Sequence, residues 1–186
     1  MKKIILFVSI VLSCSISQAQ FSFNYGLGVF LSGGKAEKAS GTGKLINYGV
    51  TVHPSFNLKE MEASSVSISA PVTLGVTGSV NSREGASENA SFLLNAPLMI
   101  DYNSGAGSTS ENMEGFGFFG GLGYGYHTGA SVAFGSASGT GPVVNAGLRY
   151  GLSLWREEQV ISLRFSFMKG MNTNKTDVFG INLVIR

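Results

Sequence analysis

The sequence predicts an all-β fold, specifically an eight-stranded antiparallel up-and-down transmembrane β-barrel. Three observations favour this fold class. Apolar residues alternate with small or polar residues along almost the whole chain after residue 20. Only 13% of the 186 residues are charged, against roughly 25% in ordinary soluble domains. No segment after residue 20 has the ~18 consecutive apolar residues that a membrane-spanning helix needs, and a closed barrel also satisfies its backbone hydrogen bonds inside lipid.

The N-terminal segment has the pattern of a secretory signal peptide. Lys2 and Lys3 precede an apolar stretch over residues 4–12, and Ser17-Gln18-Ala19 forms a small-x-small cleavage motif. We therefore expect residues 1–19 to be a signal peptide and residues 20–186 to form the barrel domain. The segment Val11-Leu12-Ser13-Cys14 is an alternative lipidation box, which the bulky Leu12 fits poorly.

Cleavage at this site changes the charge and the chemistry of the chain. It removes Cys14, the single cysteine, so the mature chain has no disulfide or thiol chemistry. Without Lys2 and Lys3, the 13 basic residues become 11 and equal the 11 acidic ones. No basic patch or run of charge indicates a nucleic-acid partner.

Eight segments carry the alternating pattern, and their lengths suit tilted membrane strands. They cover residues 21–29, 46–56, 65–77, 90–102, 115–126, 144–154, 161–167 and 179–185. Polar or glycine-rich connections at 33–43, 81–89, 127–141 and 170–176 are expected outside, whereas turns centred on Lys59-Glu60, Gly105-Ala106 and Glu157-Glu158 are expected on the periplasmic side. The turn near Gly105 is longer than is usual for that side.

The apolar register is expected to face lipid because it carries most of the aromatic residues and no charge before Lys169 and Asp177. Phe30, Phe119, Phe134 and Trp155 are the aromatic exceptions. Aromatic residues near the strand ends suit two interfacial girdles: Phe21, Phe56, Tyr102 and Phe116 on one side, and Tyr48, Phe92, Tyr126, Phe167 and Phe179 on the other.

The opposite register is mostly Gly, Ser, Thr and Asn, which suits the narrow lumen of an eight-stranded barrel. A secreted soluble β-sandwich or a lipocalin-like barrel is the alternative fold, because such proteins also alternate.

Four charged residues on the small-residue register are candidates for a lumen cluster. Arg149 and Arg164 lie on neighbouring predicted strands, with Arg164 expected near Gly151, and Asp101 and Glu114 supply carboxylates. Buried charges need partners, so we expect these groups to plug the lumen as an Arg–carboxylate cluster. The alternative is that each group is separately hydrated in a wet lumen.

The chain resembles the small outer-membrane barrel families of the OmpA transmembrane-domain and OmpX type. The resemblance covers residues 21–186 and rests on topology, aromatic girdles and the signal peptide. It implies residence in a Gram-negative outer membrane, with membrane lipids and the barrel-assembly machinery as partners. The chain departs from the pattern by ending on Ile185-Arg186 rather than an aromatic residue. Prolines 54, 71 and 97 also fall inside predicted strands, where they should mark bulges or strand ends.

Some barrels of this type are lipid A deacylases or acyltransferases with a His and a Ser near the rim. His127 and Ser131 are the residues that this comparison singles out, although their spacing departs from the deacylase His-x-Ser pattern and a solvated loop histidine is the simpler interpretation. No metal-ligand spacing and no cofactor motif is present; the glycine-rich run at 115–125 is strand-periodic and precedes no helix.

The sequence therefore predicts a structural or surface-interaction role for an outer-membrane barrel. An outer-membrane lipid-modifying enzyme and a narrow channel are the alternatives.

Overall fold

The computed structural model describes residues 21–35, 42–79, 92–113, 115–131, 135–154, 157–171 and 176–186. It contains nine strands in one antiparallel sheet. Their bounds are β1 (Phe21–Lys35), β2 (Thr42–Met61), β3 (Ser64–Ser69), β4 (Val72–Ser79), β5 (Phe92–Gly105), β6 (Gly115–Ser131), β7 (Gly135–Leu154), β8 (Glu157–Met168) and β9 (Asp177–Ile185). The described residues include no helix long and apolar enough to cross a membrane.

The sheet closes into a barrel because β1 pairs with β2 on one side and with β9 on the other. Strands β3 and β4 are two halves of one barrel strand, since both lie between β2 and β5. The barrel therefore has eight strands, and the predicted eight-stranded up-and-down fold is confirmed.

The break between β3 and β4 lies at Pro71, one of the three prolines that the sequence analysis identified. The pairings on either side place Pro71 opposite Pro97 on β5, so neither residue at this point has an N–H to donate. Proline 54, in contrast, pairs with Phe23 without a shift of register, and the bulge of β2 lies three residues later, between Asn57 and Lys59. The expectation of a bulge at residue 54 is wrong.

The two ends of the barrel differ in their connections. We call one end the turn end. It carries the start of β1, the end of β9 and the connections at 62–63, 106–114 and 155–156. The other end, with connections at 36–41, 80–91, 132–134 and 169–176, is called the loop end.

Three predicted connections are wrong in position. The Lys59-Glu60 pair lies within β2, and the turn follows at 62–63. Glu157 already pairs with Leu154, so this turn is two residues earlier than expected. Most of the predicted loop at 127–141 is strand, because the β6–β7 ladder continues to the pair Ser131–Gly135. Gly, Ser and Ala have low strand propensity, so the local sequence there does not reveal that pairing.

The apolar register faces outward along every strand of the barrel. Leu27, Leu98, Leu122 and Leu148 are exposed on this surface, and so are most of the aromatic residues of the alternating pattern. The inward register is less uniformly polar than expected. It includes a cluster of buried apolar side chains on five strands: Phe30, Leu93, Met99, Val143, Met168 and Val178.

The outward register supports a prediction about substitution of Val144, whose side chain is 47% exposed on β7 and which pairs with Leu122, about midway between the girdle residues Phe116 and Tyr126 of β6. Val144→Arg should lower the free energy of unfolding in lipid vesicles by about 2–4 kcal/mol, because it places a charge near the middle of the bilayer. Met61→Arg, at the turn end of β2, should cost roughly 0–1 kcal/mol, since the charge lies at the interface. Urea titration followed by Trp155 fluorescence measures both. Equal costs at the two positions would contradict a membrane-embedded outer face.

Candidate functional site in the barrel lumen

A buried polar network occupies the lumen around Asp101. The Asp101 carboxylate accepts hydrogen bonds from the Ser69 hydroxyl and from Asn145 Nδ2, the latter at 2.9 Å. Arg164 Nη2 lies 3.8 Å from Asp101 Oδ2, and both side chains are at least 97% buried. These residues project from four different barrel strands, so the network crosses the lumen.

Arg164 also reaches across the barrel to His53 on β2. Its Nη2 lies 3.1 Å from His53 Nε2. Arginine can only donate, so this histidine nitrogen accepts and the His53 proton is on Nδ1. Arg164 Nη1 has no hydrogen-bond partner among the described residues.

Phe119 is the inward-facing ring on which both lumen arginines stack. The guanidinium carbons of Arg149 and Arg164 lie 4.6 and 4.8 Å from the centre of this ring. The negative face of an aromatic ring attracts cations. Phe119 therefore stabilises two like charges that a narrow lumen brings close together.

The connection between β5 and β6 folds inward at the turn end. We call residues 106–113 the inward turn. Ala106, Ser108 and Thr109 of this segment are buried, and the Asn112 backbone N–H donates to Thr109 Oγ1 at 3.2 Å. The sequence analysis recorded only that this connection is unusually long.

Backbone carbonyls of the inward turn accept hydrogen bonds from four side chains. Arg149 Nη1 and Arg186 Nη1 donate to the Gly107 carbonyl at 3.1 and 3.2 Å. Asn57 Nδ2 and Ser65 Oγ donate to the Ser108 carbonyl at 3.2 and 2.6 Å. The turn is thus attached to β2, β3 and β7 and to the residue that follows β9.

Arg149 links the inward turn to the network on β5. Its Nη2 donates to Asn103 Oδ1 at 2.7 Å, and Asn103 Nδ2 donates to Ser67 Oγ at 2.9 Å. A polar cavity of about 20 Å³ at this level is lined in part by Arg149, Arg164 and Arg186. A volume of this size holds one or two water-sized occupants.

The apolar cluster fills the lumen on the loop-end side of this network. Phe30 and Leu93 are fully buried there, and the Phe30 ring lies 6.4 Å from that of His127. His127 is itself fully buried, and its Nδ1 lies 3.3 Å from Asn95 Oδ1. The interpretation of His127 as a solvated loop residue is therefore wrong, because β6 continues four residues beyond it.

The structure does not bring the two predicted catalytic candidates together. His127 and Ser131 are four residues apart on β6, which corresponds to roughly 13 Å along a strand. His127 Nε2 is buried and has no hydrogen-bond partner among the residues that the structure describes. No group of three or more His, Cys, Asp or Glu residues that could hold a metal occurs in the described part of the chain.

Of the four predicted cluster residues, the structure places Arg164 beside Asp101 and Arg149 beside Asn103, and Glu114 lies outside the described residues. The expected neighbour of Arg164 is wrong, because Arg164 pairs with Gly147 rather than lying near Gly151. This difference of four residues follows from the shifted turn before β8.

The predicted girdle residues lie on the outer face at both ends. At the turn end Phe21 pairs with Phe56, and Phe116 pairs with Tyr150; at the loop end Phe167 pairs with Phe179. Phe56 is partly buried, whereas the other eight girdle residues are exposed: Phe21, Tyr102, Phe116, Tyr48, Phe92, Tyr126, Phe167 and Phe179.

Sequence reasoning missed His53, Phe119 and the inward turn. Phe119 had one visible signal, since it is a large aromatic residue on the small-residue register. The contacts of His53 join residues 111 positions apart in the chain, and no local pattern carries that information.

Comparison with solved structures finds the same fold in small outer-membrane barrels. One is Ail, the attachment invasion locus protein of Yersinia pestis, solved in complex with the heparin analogue sucrose octasulfate. It has a TM-score of 0.54 and 16% identity, over 90% of this chain and 96% of Ail. Neisserial surface protein A has a TM-score of 0.50 and 9% identity, over 89% of this chain and 97% of that one. No family model and no curated protein matches the sequence. The likeness establishes the fold, and the predicted resemblance to small outer-membrane barrels is confirmed at that level.

The inward turn supports a prediction about Gly107 and Gly115, which have φ angles of 69° and 80°. Both Gly107→Ala and Gly115→Ala should cost roughly 1 kcal/mol, because residues with a Cβ disfavour positive φ. Gly107→Ala should cost more than its control. Its Cβ would lie 3.1 Å from Val160 Cγ1, whereas the space around Gly115 is open. Urea unfolding compares the two, and equal costs would mean that the turn is loosely packed.

The network supports a double-mutant cycle. Asp101→Asn should lower the free energy of unfolding by about 3 kcal/mol, because it leaves Arg164 buried without its counter-charge. Combining it with Arg164→Met should recover much of that loss. Asp177→Asn is the matched control, since it breaks the exposed Lys169–Asp177 pair of 2.7 Å, a type of pair worth about 0–1 kcal/mol. Additive effects, with both single variants near neutral, would indicate separately hydrated charges.

Proposed function

We propose that this protein is an integral outer-membrane barrel with a closed lumen, and that it acts at the loop end in a structural or surface-interaction role. One observation carries the proposal. Within the described part of the chain, the inward turn, the Arg–Asp network and the apolar cluster succeed one another along the lumen, leaving a cavity of about 20 Å³ beside the arginines. A general diffusion channel needs a much wider barrel.

The outer surface supports residence in a membrane. Large apolar side chains are exposed along all of the strands, with Leu27, Leu98 and Leu122 each more than 60% exposed. A soluble protein rarely exposes such a continuous apolar surface. A lipid environment removes its contact with water, so membrane lipids are the partners we propose for this face.

The connections support an orientation. Small outer-membrane barrels have short periplasmic turns and longer extracellular loops. We infer that the turn end faces the periplasm, that residues 1–19 are a cleaved signal peptide, and that the barrel-assembly machinery inserts residues 20–186. The inward turn then lies on the periplasmic side.

We propose further that the protein is not an enzyme. The catalytic alternative needs a histidine that reaches a nucleophile and a substrate, whereas His127 is buried beside Phe30 and lies roughly 13 Å from Ser131 along β6.

The loop end is where an external partner would bind. Ail was solved with a sulfated sugar analogue, so a barrel of this size can form a ligand complex. In this chain the rim cation Lys169 is paired with Asp177, which also accepts a hydrogen bond from the Gly170 backbone N–H. We propose that a partner contacts the connections at 36–41, 80–91, 132–134 and 172–175.

The proposal is tested by the location and the behaviour of the expressed protein. The mature chain should begin at Gln20, fractionate with outer membranes and migrate differently in detergent gels before and after boiling. Planar-bilayer recordings should show no sustained conductance, and lipid A mass spectra should be the same with and without expression. Recovery as a soluble periplasmic protein without a heat-dependent shift would refute the membrane barrel. Steady conductance would instead support the narrow-channel alternative.

A further inference from the structure

The cavity beside the arginines has an unusual balance of charge. Arg149 and Arg164 both line it, and their guanidinium groups share the ring of Phe119. Asp101 is the one fully buried acid among the described residues. The cavity is therefore lined by three guanidinium groups, since Arg186 also faces it, and by one carboxylate, that of Asp101.

The hydrogen bonds of Arg149 and Arg164 do not compensate the excess of positive charge in the cavity. Arg149 donates to Asn103 Oδ1 and to the Gly107 carbonyl, which are neutral acceptors. Arg164 lies near Asp101, but its shortest contact is with His53 Nε2, at 3.1 Å. Among the described residues, Arg149 donates to no carboxylate, and an uncompensated charge away from bulk water is costly.

A second observation concerns a donor of Arg164, which lines this cavity and a smaller one of about 10 Å³ beside it. Arg164 is 97% buried, and its Nη1 has no hydrogen-bond partner among the described residues. Buried N–H donors almost always have a partner. The cavity thus combines the charge of Arg149, whose acceptors are neutral, with a donor of Arg164 that remains to be satisfied.

The size of the cavity restricts the ligand. About 20 Å³ accommodates one or two water-sized occupants, which favours a monatomic anion over a sulfate, a phosphate or an organic carboxylate. A single halide ion is of the right size, and Arg149, Arg164 and Ser162, which line the cavity, carry the N–H and O–H groups that would donate to it.

We propose that this cavity binds one small inorganic anion of the halide class, chloride under physiological conditions, as the counter-ion of Arg149 and Arg164. The anion is a structural ligand. It neutralises the lumen so that two arginines can remain stacked on one ring, and it stabilises the network that holds the inward turn.

The test measures thermal unfolding of the refolded parent protein, after its heat-dependent gel shift has shown that the barrel is closed. Chloride replaces gluconate at constant ionic strength. We expect a saturable rise in the unfolding midpoint of about a few degrees, because a ligand that binds only the folded state stabilises it. Arg149→Gln should lose this response, whereas Lys169→Gln, which removes an exposed cation at the rim, should keep it.

Crystals grown with bromide give a direct measurement that does not depend on the stability of any variant. An anomalous peak in the cavity supports the proposal, and its absence there overturns it. An equal chloride response in Arg149→Gln and in the parent would mean a general salt effect and would also overturn it. A response that appears only in Glu114→Gln would assign the counter-charge to Glu114 instead. None of these outcomes affects the gel shift or the membrane fractionation that test the proposed function.

Discussion

The closed ring of backbone hydrogen bonds is the constraint on which the rest of this structure depends. Each of the nine described strands has a pairing partner on both sides, because β1 joins β2 and β9. Inside lipid an unpaired strand edge would leave many polar groups unsatisfied, at several kcal/mol each. Closure with eight strands leaves a narrow interior. Every second side chain must then fit a confined space, as at Gly147, where a Cβ would collide with the ring of Phe119.

Confinement also explains why the lumen charges contact residues on distant strands. Asn145 on β7 reaches Asp101 on β5 past the intervening β6, and Arg164 on β8 reaches His53 on β2. In a wider barrel these groups would be hydrated separately. Here hydration is limited by volume, so polar side chains must satisfy one another or bind a small ligand. The apolar residues around Phe30 occupy the same confined lumen without water, because they have no polar groups that need a hydrogen-bond partner.

The sequence predicts whether each side chain points into the lumen or out of the barrel, but it does not predict which residues on other strands that side chain contacts. Alternation with period two follows from the pleat of a strand, so the inward direction of Asp101, Arg149 and Arg164 was readable from local pattern. Neighbours depend on register, which the turns determine. The turn before β8 lies two residues earlier than predicted, and this places Arg164 opposite Gly147. The burial of His127 was missed for a related reason, because the weak strand propensity of the residues after it suggested a loop.

The length of the β5–β6 connection has a physical explanation in the lumen that it enters. Topology does not require it, since two residues suffice to join β2 and β3 at the same end. The additional residues bring backbone carbonyls to Arg149, Arg186, Asn57 and Ser65. The carbonyls of the inward turn supply these side chains with acceptors and add no charge to the lumen. Arg164 Nη1 lies further along the lumen and has no acceptor among the described residues. The proposed anion would supply that acceptor.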